Sequence, residues 1–102
     1  MPEYEAQLLS ITDRSKLLYL NGNQIFNFQN QKLGYFEDDA LINLHNQKIA
    51  YVKNYKIYNI NHQFLGEVQD GYLKALNGEN IAIIEGENKQ KQVWLASYFY
   101  FL

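Results

Sequence analysis

The chain carries an aliphatic residue every eight positions over most of its length, and that spacing governs what it can fold into. Leu17, Ile25, Leu33, Leu41, Ile49, Ile57, Leu65, Leu73 and Ile81 form the series. Three residues after each stands a second apolar residue: Leu20, Phe28, Phe36, Leu44, Val52, Ile60, Val68, Leu76 and Ile84. Leu9 and Thr12 read as a degraded further copy. A layer of period sixteen overlies this one. Asn27, Asn43 and Asn59 share one position, with Ala75 in the last copy. Gly34, Ala50, Gly66 and Ala82 share another that is always small, and Phe26, Ile42, Tyr58 and Lys74 share a third. Four units follow, 24–39, 40–55, 56–71 and 72–87. A repeat of this kind has to be recognised before any element is assigned, because it decides the fold.

The spacing rejects a helix. Eight residues of α-helix turn through about 800°, roughly 80° past two full turns, so the apolar positions would spiral around the axis. The intervening residues are turn formers. One set is Asn21-Gly22-Asn23, Gln29-Asn30-Gln31, His45-Asn46-Gln47, Asn61-His62-Gln63 and Asn77-Gly78-Glu79. The alternate set is Glu37-Asp38-Asp39, Lys53-Asn54-Tyr55, Gln69-Asp70-Gly71 and Glu85-Gly86-Glu87. Asn-Gly is a strong hairpin signal because both turn residues need positive φ. The pattern predicts strands of about four residues with a reversal every eight. Residues i and i+3 of a strand face opposite sides, so each hairpin would be apolar on both faces and would have to pack on its neighbours. The small position marks a close approach of backbones. The expected fold is all-β: four short β-hairpin repeats of 16 residues, or five if the N-terminal segment adds one. They would sit in a closed pinwheel that hides its sheet edges. An open β-meander or a short β-solenoid is the alternative.

The unit Ile57-Tyr58-Asn59-Ile60-Asn61-His62-Gln63-Phe64-Leu65-Gly66-Glu67-Val68, within four consecutive 16-residue hairpins, resembles the bacterial "4-fold beta flower" domain. The resemblance covers about 24–87. It implies a flower-like fold and carries no catalytic residue with it. The last unit departs from the pattern at Ala75.

Two segments lie outside the repeat. In residues 1–23, Asp13-Arg14-Ser15-Lys16 would turn the chain between Leu8–Thr12 and Leu17–Leu20 as one extra hairpin; a short helix over Glu3–Leu9 is the alternative. The polar stretch Glu85–Gln92 is expected to be a loop. The last ten residues, Val93–Leu102, are nearly all apolar or aromatic, so periodicity cannot separate strand from helix. Aromatic enrichment favours a strand. This end is expected to seal the domain or to pack on a second copy. Trp94, Tyr98, Tyr100 and Phe101 are its candidate interaction surface.

Composition narrows the function classes. A chain of 102 residues fits a single domain, 1–102. A net charge of −2 argues against nucleic acid, which needs a basic stripe. With no cysteine, disulfides, thiol catalysis and thiolate metal sites are excluded. No apolar run approaches the roughly 20 residues that span a bilayer, and Met1–Glu5 has no signal-peptide character. Cytoplasmic residence, with neither membrane nor nucleic acid as partner, is therefore expected.

No residue set names a reaction. His45 and His62 fall one residue out of phase in equivalent turns and read as exposed. Glu37-Asp38-Asp39 lacks the oxygen spacing of a calcium loop. Glu67 takes the slot of Tyr35, Tyr51 and Ile83 and should face outward. Ser10, Ser15 and Ser97 have no nucleophile-elbow context. Asn27, Asn43 and Asn59 could form a polar ring around a ligand, but one Asn per repeat is also what a turn's own geometry would demand. The many tyrosines could be sugar or protein platforms, or half-buried strand residues. The expectation is a protein-interaction or structural module that binds an unknown protein or itself, without a cofactor or metal. A small-ligand or carbohydrate binder is the second reading, and a small enzyme or toxin/immunity partner the third.

Overall fold

In the computed structural model, which describes residues 4–102, ten strands form one closed antiparallel ring in sequence order. They are β1 (Ala6–Ser10), β2 (Lys16–Asn21), β3 (Gln24–Asn27), β4 (Lys32–Glu37), β5 (Ala40–Asn43), β6 (Lys48–Lys53), β7 (Lys56–Asn59), β8 (Phe64–Gln69), β9 (Tyr72–Lys74) and β10 (Asn80–Gly86). Each 16-residue segment of the sequence repeat holds one short strand and one longer one. The N-terminal segment supplies a fifth pair, β1 and β2, so the extra hairpin forms rather than a helix. The ring closes where β1 pairs with β10, with Leu8 opposite Ile84.

The two ends of the ring differ. At one end, two-residue turns join the strands. Asp38-Asp39, Asn54-Tyr55 and Asp70-Gly71 all have positive φ at both residues, as tight hairpin turns require. At the other end lie five longer loops, residues 11–15, 28–31, 44–47, 60–63 and 75–79. Every strand pair entering a loop carries a bulge in its register. The extra residue is Leu17, Leu33, Ile49, Leu65 or Ile81, and all five pack against the core.

The period of eight is therefore two different positions in alternation. Leu17, Leu33, Ile49, Leu65 and Ile81 are bulge residues. Ile25, Leu41, Ile57 and Leu73 point into the ring and are fully buried. A second buried tier consists of Leu20, Phe36, Val52, Val68 and Ile84. Leu8 completes the first tier, since it lies opposite Ile84 as Leu73 lies opposite Val68. The expected pairing of two apolar strand faces does not hold for Leu44, Ile60 and Leu76, because these residues sit in loops and are exposed.

The C-terminal segment is a helix, α1 (Lys89–Ser97), followed by a 3-10 turn at Tyr98–Phe101. The expected loop over Glu85–Gln92 and strand over Val93–Leu102 are thus corrected. A closed ring offers no free edge, so a buried apolar segment has to satisfy its own backbone, which a helix does. Asn88 caps it, with Oδ1 accepting the Lys91 N–H at 2.8 Å. The helix touches β1, β2 and β10 on one wall and β6, β7 and β8 on the opposite wall. Val93, Leu95, Ala96 and Ser97 are completely buried, and the Ser97 hydroxyl is satisfied by the Trp94 carbonyl. The helix starts at the turn end. There Lys91 pairs with Glu5 at 3.0 Å, and Asp39 Oδ1 accepts from Gln90 Nε2 at 2.7 Å and Trp94 Nε1 at 3.2 Å. The tail finishes on the loop half of β8, where the Tyr100 hydroxyl donates to the Leu65 carbonyl at 3.0 Å. The segment therefore runs inside the ring from one end towards the other.

This explains the small position. A Cβ on Gly34 would lie 2.7 Å from the Ile42 carbonyl oxygen. One on Gly66 would lie 2.5 Å from the Lys74 carbonyl oxygen and on top of the Tyr100 hydroxyl. Backbones approach closely here, as the repeat predicts. The fifth equivalent residue is Leu18, opposite Leu8, and it is large.

Candidate functional site

The five loops are near copies of one another. In three of them an asparagine side chain organises the backbone. Asn43 Oδ1 accepts the N–H groups of His45 (2.9 Å) and Gln47 (3.0 Å), while its Nδ2 donates to Gln47 Oε1. Asn27 and Asn59 do the same in their loops. Backbone bonds complete the frame: Asn43 N–H to the Gln47 carbonyl and Asn46 N–H to the Asn43 carbonyl, both 3.0 Å. Ala75 keeps only the backbone pair, and Asn77 Oδ1 takes the Glu79 N–H instead. Ser10 holds the fifth place, with its hydroxyl oxygen on the Thr12 N–H. The ring of Asn27, Asn43 and Asn59 thus spends its amides on its own loops.

One residue in each loop turns through positive φ: Arg14, Asn30, Asn46, His62 and Gly78. Three tyrosines on the outer wall reach these residues. Tyr19 donates to Asn30 Oδ1 at 2.8 Å, Tyr35 to Asn46 Oδ1 at 3.2 Å, and Tyr51 meets His62 Nδ1 at 2.8 Å. Lys32 and Lys48 lie over the Tyr35 and Tyr51 rings at 5.2 and 5.6 Å. The tyrosines are thus braces between strand and loop, Tyr19 buried and Tyr35 and Tyr51 half-buried.

Directly after the asparagine position, every loop places an apolar residue: Ile11, Phe28, Leu44, Ile60 and Leu76. Leu44, Ile60 and Leu76 are 56%, 55% and 67% exposed and Ile11 is 39% exposed. Phe28 is half-buried against the rings of Tyr4 and Tyr19. Nothing in the core requires an aliphatic side chain there. Alternate connections of an antiparallel ring lie at the same end, so the five tips share one face.

Charge divides between the ends as well. The five loops contain only two carboxylates, Asp13 and Glu79, and Lys16, Lys32 and Lys48 stand at the feet of three of them. The turn end carries Glu37, Asp38, Asp39, Asp70 and Glu87 beside Lys53 and Lys56, while Glu85 reaches back to Arg14 at 3.5 Å.

The remaining candidates are placed as follows. Trp94 stacks on Phe36 at 5.2 Å and 15°. Tyr98 and Tyr100 are half-buried, and burial pushes the Tyr100 phenol up to about 12. Phe101 is exposed. Most of this aromatic set is therefore turned inward to hold the helix. The part played by Asp39 as its anchor is not visible in the sequence, where Glu37-Asp38-Asp39 reads only as a turn. His45 and His62 lie in neighbouring loops, and among the described residues no histidine or carboxylate cluster suits a metal ion. A shallow open groove of about 370 Å³ is lined by Asp38, Asp39, Lys48, Tyr51, Val52, Lys53 and His62. Tyr51 is its one aromatic wall, which is little for stacking a sugar. Glu67 lies on the outer wall opposite Lys56 and Lys74.

Comparison with known proteins agrees with the architecture. The family described as "5-fold beta-flower protein" matches residues 3–102, and the chain belongs to that family. The resemblance to the four-fold flower thus identified the right kind of domain and undercounted its units by one. No curated protein and no solved structure matches the chain.

Proposed function

We propose that this 5-fold beta-flower protein is an interaction module whose docking face is the loop end of the ring. The observation that carries this reading is the apolar tip repeated on all five loops, aliphatic and exposed on four of them. Exposed large aliphatics grouped on one face mark interaction sites on folded proteins. Among the described residues, Tyr55 is the one exposed large apolar side chain at the opposite end. Catalysis has less support, because the features repeated around the ring are apolar loop tips and loop-bracing asparagines rather than reactive groups. Small-ligand binding has less support too, because the groove is shallow and nearly without aromatics.

The test is photo-crosslinking in living cells. A photoreactive residue at Leu44 or Ile60 should give discrete adducts, and one at Lys53 on the turn end should not. Adducts from Lys53 alone, or from neither end, would refute the reading.

A further inference from the structure

We infer that the surface taken by the loop end is an anionic lipid interface. The inference rests on the loop end being the docking face and names what docks there. Three observations support it. First, the aliphatic residues are spread over the tips of separate loops on one face. A protein interface needs a contiguous desolvated centre, whereas shallow insertion needs only that each tip enter the acyl boundary by itself.

Second, charge is complementary. Lys16, Lys32 and Lys48 rim this face, while the acidic turns lie at the far end. Two copies meeting loop to loop would bring like charges together. Lysines so placed can rest their stems on apolar surface and extend their ammonium groups to lipid phosphates.

Third, the loops are ready to leave water. Four of the five backbone N–H groups of residues 43–47, those of Asn43, His45, Asn46 and Gln47, are already bonded within the loop. Unsatisfied N–H groups make an ordinary loop costly to insert, and that cost is reduced here.

The sequence argues only against a spanning segment, and among the described residues no helix is long and apolar enough to cross a membrane. Adsorption by loop tips needs none.

Co-sedimentation of the full chain with phosphatidylcholine vesicles, with and without about one third phosphatidylserine, tests the inference. Binding should need the anionic lipid and fall as salt rises. The triple variant L44N/I60N/L76N should lose binding by at least about tenfold. Lys32→Gln and Lys48→Gln should each lose about fivefold, and Lys53→Gln at the turn end should lose nothing. Equal thermal midpoints would show that the loop variants are folded. No binding of the wild type at low salt, or full binding by the triple variant, would overturn the inference. Crosslinks from Leu44 to a protein, or a self-assembly in sedimentation that the triple variant dissolves, would also overturn it, while leaving the docking face intact. Loss of crosslinks from the loops altogether would remove both.

Discussion

The Tyr100 hydroxyl fills the space that a side chain on Gly66 would need, and it donates there to the Leu65 carbonyl. The small residue of the unit 56–71 thus serves the tail of the central segment as well as the neighbouring strand. Gly66→Ala should cost about 1–3 kcal/mol by overpacking. In a Tyr100→Phe background one of the two obstructions is gone, so the added cost should be smaller. Urea denaturation of the four proteins would give the coupling. Strict additivity would mean that Tyr100 does not occupy this space.

Tyr100 also sets an alkaline limit. Burial raises its pKa from about 10 to about 12, so the folded chain holds the proton more tightly than the unfolded one. Its contribution is complete below about pH 10 and is lost as pH rises towards 12. Urea midpoints measured across that window should fall, and less steeply for Tyr100→Phe, which has no proton to lose.

The asparagine of each loop is a stability residue by its contacts. Asn59→Ala removes the acceptor of two N–H groups and should cost about 1 kcal/mol. Ala75→Asn should recover less than that, because Asn77 Oδ1 already takes the Glu79 N–H. A thermal midpoint unchanged by Asn59→Ala would return this residue to the list of candidate ligand groups.

Tyr55 holds φ 64, a left-handed conformation that L side chains adopt at a cost. Tyr55→Gly creates Asn-Gly in a tight hairpin turn and should stabilise by about 0.5–1 kcal/mol. The loss of the Lys89 ammonium over the Tyr55 ring, 5.0 Å away, limits the gain. Calorimetry of the two proteins would measure it.

The architecture was legible because its period is geometric. Gly34, Ala50, Gly66 and Ala82 recur every sixteen residues since each faces the same crowded place in the ring. The fifth unit was hidden by two local departures. The first loop, residues 11–15, is one residue longer than loop 28–31. That shifts Leu8 out of frame and makes Leu9 look like the repeat position. Leu18 then stands where the other units have Gly or Ala. The helix was hidden for a different reason: Val93–Leu102 is apolar all round, and only closure of the ring removes the strand option. The loop tips could be seen as apolar but not as exposed. An aliphatic residue three positions after a buried one looks the same whether the strand continues or a bulge and loop intervene.

The pairing of β1 with β10 has a consequence for when the protein can exist. β1 waits for β10, and the helix that fills the ring follows β10 in the chain. A nascent chain that has completed four hairpins still presents two raw sheet edges and an empty middle. Folding is decided only when β1, β10 and the helix that follows it are all available to one another.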